Sequence, residues 1–314
     1  MCTCYPHLSL HKKHLAQLSD HFSISSLSML AVIDHVSIWS ITASGLAKNE
    51  DGKKALSKQL PKELKAEVKW SHVACKEEVL FTFFDHGNMR DCFKGSSLKG
   101  DLILKLCKLD STLLSCGRLV APGVHSNSNE VKLLEEGFSE FAVGLYFCGD
   151  VSFDSTVYSL LLEERAPFTV SEALSSTVNE MVLSSHRPSI LKNVFDIFAL
   201  VLDLVFNMKA AGFSIQDAGP NNLAYFPEGA RSHTAVVLML DFEHITKGKQ
   251  LRKKQNETFL RSISQAVSCM LQHPALEGVG NMLRRVVFAQ WFLLANDADV
   301  SSKDLRRMLF CLLD

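Results

Sequence analysis

The sequence carries almost no net charge. Its 33 Lys and Arg residues stand against 34 Asp and Glu, a formal charge of −1, and the sequence pI is about 6.9. Binding to nucleic acid or to an anionic membrane face needs an excess of cations, so neither is indicated as the main partner. Paired cysteines are missing too. The nine cysteines are an odd number, no CxxC occurs, and the Cys2-x-Cys4 pair has no second ligand pair at zinc-site spacing. A reduced, cytoplasmic protein follows as the simplest reading. There is no long apolar run without charge. The stretch from Ile24 to Leu46 is the nearest, but Asp34 and His35 sit in its middle and Ser and Thr interrupt it. A charge at mid-bilayer is costly, so no membrane span is expected. The same stretch begins too late for a signal peptide and lacks its small-residue cleavage pattern. Internal repeats and low-complexity tracts are also lacking.

What is present is ordinary globular material: 314 residues, 47% hydrophobic and 21% charged. That length suffices for one bilobal domain or two small ones. Residues 1–70 read as an N-terminal extension packing on the domain behind it. Within it, Met29 to Ile41 has strand-like β-branched content, and the charged run Asn49 to Lys69, broken by Pro61, predicts two short helices. From Val79 the texture is β. Val79–Phe84 is an apolar, aromatic run of strand length, followed by the turn cluster Asp85-His-Gly-Asn. Asp101–Cys107 is a buried strand holding one lysine, Lys105. A helix is expected from near Glu130, then strands over Phe141–Val151 and Ser155–Leu162. From Ser171 the period becomes helical. Ser189–Ala211 is a long apolar-periodic helix stopped by Gly212. A hairpin over Leu223–Asp241 turns at Pro227-Glu-Gly. Helices are expected over Arg252–Gln272, Gly278–Ala295 and Ser301–Leu313. The class is α+β, with a β-rich lobe over 71–165 and a helical lobe over 166–314.

Three features belong together. Directly after the long helix comes Ile215-Gln-Asp-Ala-Gly-Pro-Asn-Asn-Leu-Ala, with Asp217 five residues before Asn222. Next is Leu238-Met-Leu-Asp241-Phe-Glu, an apolar strand ending in a carboxylate. The third is Lys105, far upstream. Phosphoryl transfer from ATP needs a carboxylate to orient or deprotonate the attacking hydroxyl. It also needs hard oxygen ligands for magnesium and a lysine for the non-transferred phosphates. Asp217 suits the first role, Asn222 and Asp241 the second, Lys105 the third.

At these residues the chain resembles the protein-kinase-like superfamily. The Asp217 loop is similar to the catalytic loop H-R-D-x-x-x-x-N, and Asp241-Phe-Glu to the D-F-G site. The resemblance covers roughly Val79 to Gln272. It implies a bilobal kinase-like fold with ATP and Mg2+ as cofactors. It further implies Glu130 as the helix carboxylate pairing with Lys105, with Glu135 or Glu136 as alternatives. Leu162 would be the gatekeeper and Glu163 to Arg165 the hinge facing adenine. Gly87 would be what remains of the phosphate-covering glycine loop. Departures are clear. Ile215 and Gln216 replace the loop's His and Arg, Gly219 stands where protein Ser/Thr kinases have Lys, Glu243 replaces the D-F-G glycine, and no A-P-E follows. These point to an atypical kinase or to the aminoglycoside- and choline-kinase-like phosphotransferases. The acceptor is either a small molecule or a protein hydroxyl. The alternative is a catalytically inactive pseudokinase that binds nucleotide or protein.

Overall fold

The computed structural model describes residues 33–43, 61–71, 73–86, 91–108, 113–115, 118–120, 132–134, 136–153, 156–184, 187–215, 219–241, 245–248 and 252–285. The chain divides into two compact units, Met1–Glu136 with Gly144–Arg165, and Gly137–Val143 with Ala166–Asp314.

The first unit is built on strands β1 (Ile33–Ala43), β2 (Pro61–Trp70), β3 (Glu77–His86), β4 (Asp91–Ser97) and β5 (Gly100–Lys108). A small hairpin follows, β6 (Leu113–Ser115) and β7 (Arg118–Val120), and then β8 (Leu145–Phe153) and β9 (Thr156–Glu164). Seven of these form one antiparallel sheet in the order β1-β2-β3-β4-β5-β9-β8. β1 also approaches β8, so the sheet curls.

Of the two helices expected between Asn49 and Lys69, the part from Pro61 is corrected by β2, and residues 49–60 lie outside the described residues. From Pro61 the chain alternates: Leu64, Ala66, Val68 and Trp70 are buried, while Glu63 and Lys65 are exposed. That period of two fits a strand and no helix, and Pro61, which has no N–H to give a ladder, takes the first position. The buried face continues through Phe81, Phe93, Leu104 and Leu160 into a single core. Trp70 Nε1–H donates to Glu77 Oε2 at 2.9 Å, which ties the β2–β3 connection.

The expected strand over Phe141–Val151 starts late, at Leu145. Residues Phe138–Glu140 form a 3-10 turn that belongs to the second unit. The rings of Phe138 and Phe141 pack edge-on against Phe213, at 5.0 and 5.9 Å between centroids. Residues 132–134 are helical, and Glu130 lies outside the described residues.

In the second unit, β10 (Phe168–Thr169) leads into helix α1 (Val170–Leu183). Thr169 Oγ1 accepts from the Glu172 N–H at 3.1 Å, and Glu172 Oε2 accepts from the Thr169 N–H at 2.7 Å. This reciprocal cap fixes the helix start. Helix α2 (Arg187–Ala210) buries an apolar stripe including Val194, Phe198, Val201 and Val205, and the chain leaves it at Gly212 with φ 83°, a left-handed conformation that glycine adopts without strain. Then come β11 (Phe213–Ile215), β12 (Leu223–Phe226), β13 (Val236–Met239), β14 (Ile245–Lys247) and helix α3 (Arg252–Leu271). The three helices pack on one another. The strands make two small sheets, β10-β12-β13 and β11-β14. Residues 277–285 are helical; the helix expected over Ser301–Leu313 lies outside the described residues. Among the described residues, no helix is long and apolar enough to cross a membrane.

Candidate functional site

The hairpin of β12 and β13 pairs Leu223 with Met239 and Ala224 with Leu238, all buried. One more rung follows, with the Leu240 N–H donating to the Asn222 carbonyl at 2.9 Å. Asn222 closes a 3-10 turn, Pro220–Asn222, and its N–H donates to the Gly219 carbonyl at 2.9 Å. Pro220 suits the first position of that turn because no partner is needed for its nitrogen. Residues facing each other in an antiparallel ladder have Cα atoms about 4.5–5.5 Å apart. The backbone therefore sets Asn222 beside Leu240, the residue just before Asp241, at one end of the hairpin. A second pairing lies on the other flank, Ile215 with Ile245 in the β11–β14 ladder. The chain is thus joined just before the Asp217 loop and again at its end, both times to residues flanking Asp241-Phe-Glu. Asp217, Phe242 and Glu243 lie outside the described residues.

Asp241 Oδ1 is buried and has no hydrogen-bond partner, the one such side-chain atom among the described residues. A carboxylate oxygen removed from water without a donor is costly, and native proteins rarely keep one without an ion, a water or a function to explain it. Among the described residues no group of three or more His, Cys, Asp and Glu forms a metal cage. Magnesium does not require one. It keeps several waters and takes one or two carboxylates plus substrate phosphates. The hard oxygens of Asp241 and Asn222 fit that ion; zinc sites are built mainly on His nitrogen and Cys sulfur.

Lys105 sits in the first unit, on β5 between β4 and β9. The β5–β9 register sets Lys105 opposite Leu161, Leu104 opposite Leu162, and Ile103 opposite Glu163. Facing residues share a side of the sheet and neighbours alternate. Leu162, expected as the gatekeeper, is consequently in the core with Leu104, on the face opposite to that of Lys105. Glu163 is on the lysine's face. Lys105 Nζ lies 2.9 Å from Glu163 Oε2 and 3.2 Å from Oε1. The two side chains are 13% and 2% exposed. This ion pair was not expected. Its sequence signal was a lone pair of glutamates ending an apolar strand, but only the register shows which one turns towards Lys105.

Of the carboxylates expected for Lys105, Glu130 and Glu135 lie outside the described residues, and Glu136 is 3.9 Å from Lys132. Arg165 is held at the start of β5. Its N–H donates to the Asp101 carbonyl at 3.0 Å and its guanidinium reaches the Asp101 carboxylate at 3.2 Å. Gly87 lies outside the described residues, between the paired strands β3 and β4. The hairpin that carries it, the Lys105 strand and the strand ending at Glu164 are consecutive in the sheet. On β12, burial raises the pKa of the Tyr225 hydroxyl above its ordinary value, and the charge of Asp196 raises it further.

Compared with known proteins, the chain matches no family model and no curated sequence.

Proposed function

We propose that the chain is an ATP- and magnesium-dependent phosphotransferase of bilobal, protein-kinase-like fold that moves the γ-phosphate to a hydroxyl acceptor. The observation that carries this is the partnerless, buried Oδ1 of Asp241, one residue beyond the rung that ties Leu240 to Asn222. Such an atom is what a magnesium ligand looks like before its ion arrives. Asp241 and Asn222 would hold the ion, which would neutralise phosphate charge. Asp217 orients the acceptor hydroxyl and takes its proton on the carboxylate. Lys105 binds the non-transferred phosphates. The catalytic-loop and D-F-G-like spacings support the same assignment. Gly219, in place of a lysine, favours a small-molecule hydroxyl as acceptor.

One observation favours a second reading. Lys105 already has a buried carboxylate as its partner. In a pseudokinase the lysine would be structural and nucleotide would not be turned over. Thermal unfolding and ADP release separate the two readings. A ligand at a hundred times its Kd adds about 2.7 kcal/mol of stability to the folded state. ATP with magnesium should therefore raise the melting midpoint, ATP with a chelator should not, and ADP should accumulate when alcohol acceptors are supplied. No magnesium-dependent shift sinks the proposal; a shift without ADP release leaves the pseudokinase.

A further inference from the structure

We infer that Glu163, a residue of the sheet itself, is the positioning residue that aims the Lys105 ammonium at the nucleotide's phosphates. This rests on the phosphotransferase reading above. Both residues lie on one face of the sheet, on adjacent strands and in diagonal register. Diagonal neighbours are within reach of long side chains. Both carboxylate oxygens of Glu163 are within 3.2 Å of Lys105 Nζ. Near-complete burial makes the contact matter. A buried charge without a partner is strongly unfavourable, so in the resting protein the lysine is drawn to the carboxylate that the sheet provides.

The anchor is stiff. Glu163 is opposite Ile103 on β5 and opposite Leu145 on β8, so its backbone is paired on both sides. In protein kinases the lysine's carboxylate is carried on a helix, and the position of that helix switches activity. A carboxylate carried by an inner strand has no such freedom. A partner so placed for Lys105 stays where it is when helices move, which makes the arrangement permanently armed rather than switched.

A buried ion pair with a purely structural role is the competing explanation, and phosphate binding distinguishes the two. The affinities of ATP with magnesium and of adenosine are measured by calorimetry on the full chain, alongside thermal melts. Glu163→Gln should weaken ATP about tenfold more than it weakens adenosine, which has no phosphate, the size expected for losing a charge-assisted hydrogen bond. Glu163→Asp keeps the charge but shortens the reach. It should show the same split, and it decides the matter if Glu163→Gln does not fold. The double exchange Lys105→Glu with Glu163→Lys restores the ion pair but puts the ammonium on the wrong strand. It should recover melting temperature and not ATP affinity. Equal or tighter ATP binding in Glu163→Gln or Glu163→Asp, or recovery of both properties in the exchange, overturns the inference alone. Wild type that binds no ATP removes the phosphotransferase reading and this inference with it.

Discussion

At the scale of single residues, Asp241 carries an energetic cost that the proposed metal role would account for. Its buried oxygen lacks a donor, so neutralising it should not harm the resting fold. Asp241→Asn is expected to melt no lower than wild type without ligand, yet to lose the magnesium-dependent part of ATP binding. Calorimetry with and without magnesium checks this; equal magnesium dependence in both proteins would remove the metal role. Tyr225 gives a pH signature. Its folded pKa is raised above the ordinary tyrosine value, first by burial and then by Asp196. The unfolded chain thus loses the proton first as pH rises. The contribution is fully present below about pH 10, and is lost as pH climbs from there through the raised folded value. Tyr225→Phe should flatten that alkaline decline in denaturant midpoints, and an unchanged decline would assign it to other groups. Lys105, Asn222 and Asp241 were legible as candidates because their chemistry and spacing are local facts. The faces that Glu163 and Leu162 take were not legible, because a one-residue change of register exchanges which of them shares a face with the lysine.

At the scale of elements, alternation decided what charge content obscured. Residues Glu63 to Trp70 are rich in Lys and Glu, which favour helix, but every second residue is apolar and buried. Pairing with β1 and β3 overrides propensity there. The long helix α2 was legible because its apolar period extends over more than five turns and ends at a glycine. The β3–β4 pair in the first unit also depends on glycine, though for space. Gly95 in β4 faces Phe81 in β3, and a Cβ added to it would meet Phe81 Cδ1 at 2.7 Å and Val79 Cγ1 at 2.9 Å. Both neighbours are buried side chains with little room to yield. Gly95→Ala should cost about 1–3 kcal/mol, the usual range for overpacking a core. Urea unfolding measures it, and a change below about 0.5 kcal/mol, the scatter of neutral surface substitutions, would show that the ring swings aside.

At the scale of the whole chain, the change from strand alternation to helical period near Ser171 is visible in sequence, whereas the excursion of residues 137–143 into the second unit is not. That excursion is held by long-range contacts. The Val143 N–H donates to the Met239 carbonyl at 3.0 Å, and the Met239 N–H to the Phe141 carbonyl at 2.7 Å. No local pattern foretells such partners. The stretch from Asp241 to Arg252 also bears on how the proposed phosphotransferase would be controlled. Thr246 is its sole hydroxyl residue, and it lies in β14, opposite the buried Ser214. Gln216 stands where a phosphate-reading arginine would be expected. A phosphothreonine works as a switch by recruiting such a cation and ordering a segment around it. Here the arginine position is changed and the threonine is already part of a strand. On the phosphotransferase reading proposed above, the protein should accordingly be competent as synthesised. Protein made in bacteria, protein treated with phosphatase, and Thr246→Ala should all transfer phosphate at rates within about twofold of one another, a spread below 0.5 kcal/mol in barrier. A collapse of activity after phosphatase treatment or in Thr246→Ala would show that phosphorylation governs the site after all, and would return the chain to the mode of regulation of conventional protein kinases.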